Sequence, residues 1–139
     1  MIYQKRGETH FLQLKVGDEV MESLRSIARD EEIGAASITA IGAVSDPEIG
    51  YFNVSSKEYD RISLTGNFEL VGLTGNIGWR DGEPLIHAHV VLGSPTGVHA
   101  GHLFRGTICV TGEFVITRHE GRLERRLDPE VNLPLWDLT

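Results

Sequence analysis

Between residues 9 and 16 apolar and polar positions alternate, with Leu12, Leu14 and Val16 on one side and Phe11, Gln13 and Lys15 on the other. A period of two belongs to a β-strand with one covered face. The period then lengthens, and Val20, Leu24, Ile27 and Ala28 recur at helical spacing. Asp18 is placed to cap a helix, Glu19 and Glu22 suit the positive end of its dipole, and Gly34 suits a left-handed stop. The pattern predicts one amphipathic helix of about four turns lying across a sheet.

After Gly34 the chain reads as short strands separated by turn residues. Residues 36–44 form a buried segment that can bend at Gly42. Ser45-Asp46-Pro47 reads as a turn into a strand over residues 48–54, and residues 59–64 and 68–77 give two more. Asp81-Gly82 is tight-hairpin chemistry leading into residues 85–92. Residues 107–117 form a long strand, and Glu120-Gly121 turns it into 122–127. Pro129 and Pro134 then punctuate a tail expected to run extended over the surface, anchored by Leu135, Trp136 and Leu138. The expected fold class is α+β, with one principal helix and about eight strands in a mainly antiparallel, barrel-like sheet whose curling hides bare edges. No linker divides residues 1–139, so a single domain is expected.

The strand over residues 85–92 carries the candidate chemistry. Ile86, Ala88, Val90 and Leu92 face one way, so His87 and His89 both face the other. A glycine-bearing loop from Gly93 to Gly101 can return the chain so that His102 approaches the same face. Three neutral imidazoles suit zinc or another late transition metal and leave a fourth position for water. The alternative is that His87 and His89 decorate a solvated face while His102 packs beside Leu103.

Composition narrows the partners. A chain of 139 residues with 40% hydrophobic and 24% charged residues is ordinary for a globular domain. Its formal net charge of -7 opposes wrapping a polyanion. The most arginine-rich stretch, residues 118–128, sets Arg118, Arg122, Arg125 and Arg126 against Glu120, Glu124 and Asp128, which describes a mixed surface strand. Cys109 is the only cysteine, so neither an internal disulfide nor a cysteine-based zinc site can form. Lys5, Arg6 and Glu8 occupy the region where a secretory signal needs an apolar core, and no apolar run reaches membrane-spanning length. The expectation is a soluble, cytoplasmic protein without membrane association.

Ile41-Gly42-Ala43-Val44, Gly66-Asn67-Phe68-Glu69-Leu70, Leu73-Thr74-Gly75-Asn76-Ile77, His87-Ala88-His89 and Gly101-His102-Leu103 resemble, in order and spacing, the PPC (plants and prokaryotes conserved) domain family. The resemblance implies a homotrimer with a single large helix on an antiparallel sheet. It also implies a metal site near the subunit boundary at His87, His89 and His102, and leaves His99 outside it. In plant members the domain accompanies an AT-hook with an Arg-Gly-Arg-Pro core, which is absent here. Direct DNA binding is therefore not expected.

Zinc on three imidazoles lowers the pKa of bound water toward about 7, so hydrolysis or a lyase reaction on a small substrate is conceivable. Glu69 and Glu113, set in apolar strands, are candidate general bases or partners of the ligand histidines. They could equally pair with Arg105 or another arginine. Three classes follow: a metal-binding trimer that takes a small ligand, a zinc enzyme, or an associative module working with DNA-binding proteins.

Overall fold

The computed structural model describes all 139 residues. Its elements are β1 (Ile2–Arg6), β2 (Thr9–Lys15), α1 (Val20–Asp30), β3 (Ala36–Asn53), β4 (Glu58–Ser63), β5 (Asn67–Arg80), β6 (Glu83–Ser94), β7 (Gly97–Arg118), β8 (Arg125–Asp128) and β9 (Leu133–Trp136). Every strand pairing is antiparallel. Seven strands form one sheet in the order β1-β2-β7-β6-β5-β3-β4, while β8 and β9 pair as a separate hairpin. Because β3 also pairs with β7, the strands β3, β5, β6 and β7 close into a ring of pairings. The fold is α+β, as expected.

Alternation decides which face of these strands is covered. Ile86, Ala88, Val90 and Leu92 of β6 are all buried, as are Leu103, Ile108, Phe114 and Ile116 of β7. They join Leu12, Leu14 and the helix residues Val20, Met21, Leu24, Ile27 and Ala28 in one apolar core. Full burial of such a side chain contributes about 1.5–3 kcal/mol, which makes the sheet faces non-interchangeable. Val16, expected on the covered face, lies past the end of β2 and is exposed. No helix is long and apolar enough to cross a membrane.

The helix is shorter than its sequence pattern suggests, at 11 residues. Its cap is Glu19, whose carboxylate accepts from the Glu22 backbone N–H at 2.7 Å. Asp18 instead accepts from the Lys15 backbone N–H at 2.8 Å and meets the N-terminal ammonium at 2.9 Å. The left-handed residue after the helix is Glu32, with φ 50°, rather than Gly34. Gly34 is required for closeness, because the Gly121 backbone passes where its Cβ would stand.

Two predicted interruptions prove to be continuous strand. Ser45-Asp46-Pro47 does not reverse the chain; it forms an irregularity inside the 18-residue β3. Asp46 adopts φ 45°, its N–H donates to Gly66 O at 2.9 Å, and its carboxylate accepts from the Gly66 N–H at 2.8 Å. Here β3 leaves β5, its last partner being Asn67, and takes up β4 from Ser63. The expected bend at Gly42 is present as a register shift. Likewise the stretch from Gly93 to Gly101 is not a long loop, since only residues 95 and 96 lie between β6 and β7, and β7 runs unbroken for 22 residues.

Both ends of the chain are more ordered than their patterns suggest. Residues 2–6 form the edge strand β1, and the tail folds back as β8 and β9 around a turn containing Pro129. Asp81-Gly82 behaves as predicted, with φ 52° and 83° joining β5 to β6 in the manner of a type I′ hairpin.

His10 lies on the covered face of β2 and is fully buried. Its Nδ1 meets the Tyr3 hydroxyl at 2.9 Å, while its Nε2 is buried without a partner. Burial, then the charge of Lys5, holds its pKa below the ordinary 6.5. The unfolded chain therefore binds a proton that the folded chain resists, and stability falls as pH drops below 6.5. Urea midpoints of His10→Gln, taken between pH 7.5 and 5, are expected to fall less steeply than those of the parent.

Candidate metal centre

Register brings the three histidines together. In the β6–β7 hairpin His89 stands directly opposite His102, and His87 lies two residues along β6 on the same face. The hairpin connection is only Pro95-Thr96, so His102 arrives as a cross-strand neighbour rather than from the end of a glycine loop. One ring nitrogen from each residue lies within 4.8 Å of the others. His87 Nε2 and His89 Nε2 are 3.2 Å apart. Two nitrogens bound tetrahedrally to zinc stand about 3.3 Å apart, given bonds of about 2.0–2.1 Å.

The surroundings favour the neutral form of two of these rings, His87 and His102. His102 is half-buried, with Tyr59 at 4.9 Å and Phe104 at 4.7 Å between ring centroids. Burial, helped by the charges of His87, His89 and Arg61, pushes the His102 pKa down to about 4. Burial, then the charges of His89 and Arg125, also lowers that of His87. A neutral imidazole offers the lone pair that a metal needs. His102 Nδ1 is buried with no hydrogen-bond partner, a cost that a bound cation or a ligand would relieve. The residues therefore fit a divalent transition metal by donor type, separation and charge.

The two carboxylates singled out from sequence stand elsewhere. Glu69 is exposed on β5 opposite Ala43 and Gly93, bordering a hollow shared with Phe68 and Cys109. Its strand slips register between Leu70 and Gly72, so Glu69 and Val71 face out whereas Leu73 faces in. Glu113 is exposed on β7 and borders a hollow against β1 and β2. Neither reaches Arg105, which approaches Glu48 at 3.9 Å. His99 packs edge-on against Phe68 at 5.9 Å, outside the trio.

Residues without an obvious sequence signal complete the setting. Arg61 lies 3.8 Å above the Phe104 ring and donates to Glu48 at 2.8 Å, bracing the aromatic wall behind His102. Asn76, opposite His87, accepts from Arg125 Nη2 at 2.7 Å. Arg125 is only 9% exposed, which corrects the expectation of a surface strand there. Phe104 could have been found from period-two alternation with His102. Arg125 could not, because its burial depends on the fold-back of β9.

The Plants and Prokaryotes Conserved (PCC) domain profile matches residues 1–120. The chain belongs to this family. A plant- and prokaryote-conserved (PPC) protein of Pyrococcus horikoshii shares 35% identity at a TM-score of 0.87, over 99% of this chain and 96% of that one. A metal-containing protein of Archaeoglobus fulgidus shares 32% at 0.87, over 98% of each. A protein of Ralstonia eutropha JMP134, provisionally named as DNA-binding, shares 32% at 0.91, over 99% and 96%. A comparison with curated proteins finds no match.

The backbone beside the site depends on one glycine. A Cβ on Gly101 would stand 2.8 Å from Gly50 O on β3, where Gly50 pairs with His102. Gly97, at the hairpin tip, has open space around it. Gly101→Ala is expected to cost about 1–3 kcal/mol in urea denaturation, and Gly97→Ala much less.

Proposed function

We propose that this PPC-family protein is a homotrimer that holds zinc or another divalent transition metal on His87, His89 and His102, near a subunit boundary, and binds a small ligand there. The observation that carries the reading is the convergence of three imidazole nitrogens within 4.8 Å, one ring having a buried nitrogen without a partner. The metal-containing Archaeoglobus relative supports it. When bound, the metal supplies Lewis acidity and an open coordination position. The histidines hold it, and Tyr59 and Phe104 screen His102 from water.

Assembly is supported by the outward faces of the ring, a closed barrel-like sheet in this reading. Ile41, Val71 and Val110 are 57%, 59% and 67% exposed on β3, β5 and β7. Three such side chains on adjacent strands form an apolar surface that a second copy of the chain would cover. The provisional DNA-binding name of the Ralstonia relative favours a second reading, an associative or DNA-associated regulatory module without catalysis. A zinc hydrolase or lyase is the third, and it gains no general base from Glu69 or Glu113, which border other hollows. The protein is expected to act in the cytoplasm.

Elemental analysis of tag-free protein by plasma mass spectrometry is expected to find near-stoichiometric metal in the parent and little in His87→Ala or His102→Ala. Light scattering on the same samples should give three times the chain mass. A parent that stays metal-free after incubation with zinc and dialysis would sink the metal reading and leave the associative module.

A further inference from the structure

Next to the histidines lies a cavity of about 240 Å³, bordered by Tyr59, His87, His102, Arg125, Leu133 and Leu135. The last three residues belong to the β8–β9 hairpin, beyond the residues matched by the family profile. One side is therefore histidine and the other is the tail.

Arg125 is the unusual member. Eight of the ten arginines have a carboxylate within 4.0 Å, and Arg6, the other exception, is exposed. Arg125, which is buried, has none. Its Nη1 donates to Pro134 O at 2.7 Å and its Nη2 to Asn76 Oδ1 at 2.7 Å, both neutral acceptors. Its Nε lies against Gly78 without a partner. A buried guanidinium satisfied only by neutral groups retains most of its desolvation cost.

The neighbouring histidines offer no compensation. Three neutral imidazoles leave a divalent ion with its full charge, and no carboxylate belongs to the cluster. With metal bound, the cavity would border about three positive charges and no negative one, in a chain whose net charge is -7. What the cavity lacks is an anion. Its volume is below the roughly 300–1,000 Å³ of drug-sized sites, and Leu85, Leu133 and Leu135 make much of its wall apolar.

We infer that this cavity binds a small organic monocarboxylate, its carboxylate at the edge formed by Arg125 and the histidines and its short apolar body against Leu133 and Leu135. The inference names the ligand class of the proposed metal site and rests on that reading. Arg125 acts as the anion-binding residue and the tail hairpin as the specificity wall. The carboxylate accepts charge-assisted hydrogen bonds, which are worth about 1.5–3 kcal/mol each, or roughly a tenfold to hundredfold change in affinity.

The test is calorimetric titration of zinc-loaded, full-length protein with isobutyrate and benzoate, beside isobutyramide, benzamide and acetate, with metal content measured on every sample. Both acids should bind at least about tenfold more tightly than their amides. Benzoate should also exceed acetate. Arg125→Met should keep its metal and lose that affinity. Leu135→Trp, a change at a 42% exposed position that narrows the cavity, should weaken benzoate and spare acetate; it carries the test if Arg125→Met does not fold. Equal binding of acids and amides, no binding at all, or full benzoate affinity in either metal-loaded variant would overturn the inference. Failure of the parent to take up zinc would instead count against the metal reading on which it stands.

Discussion

The antiparallel register of β6 against β7 is the constraint on which the site depends. With His89 opposite His102, a single step of two residues along β6 brings His87 to the same face. A one-residue slip would send an entire strand's side chains to the opposite face, burying imidazoles and exposing Ile86, Ala88, Val90 and Leu92. The core thus enforces the register that the histidines need. The convergence of the three histidines requires no special loop, and it follows from which face of a strand water cannot reach.

The ring of β3, β5, β6 and β7 makes that register rigid. β7 is held by β6 along its first part and by β2 along its last, with β3 crossing beside both. Gly101 lets β3 and β7 approach next to His102, Gly50 leaves room for the Phe104 ring, and the β5 register brings Asn76 beside His87. Second contacts to the histidines therefore come from strands far apart in the chain. Tyr59, Arg61 and Phe104 back one side and Asn76 with Arg125 the other, which leaves His102 shielded while His89 stays exposed.

Much of this was legible in the chain, for physical reasons that differ by residue. Strict alternation locates β2 and β6, helical spacing locates α1, and His-x-His on a one-sided strand places His87 and His89 on the same face. Glycine and proline were the misleading signals. Gly101, read as the end of a loop, marks where β7 meets the backbone of β3, and Pro47, read as part of a turn, lies where β3 changes partner. Glu69 and Glu113 were proposed on parity alone, and a bulge at Leu70/Gly72 breaks parity for the first. Arg125 was invisible because its surroundings exist only once the tail has folded back.

The fold also divides the two tryptophans between different parts of the molecule. Trp79 is buried at the end of β5, its indole N–H donating to Ile33 O at 2.8 Å and its ring covered by Arg122 at 4.0 Å. Trp136 is 48% exposed on β9, with Arg125 5.6 Å from its ring centroid. Intrinsic fluorescence from this protein is thus a sum of two separable emitters. The shorter-wavelength component reports the sheet interior, and the longer-wavelength component reports the C-terminal flap beside the cavity.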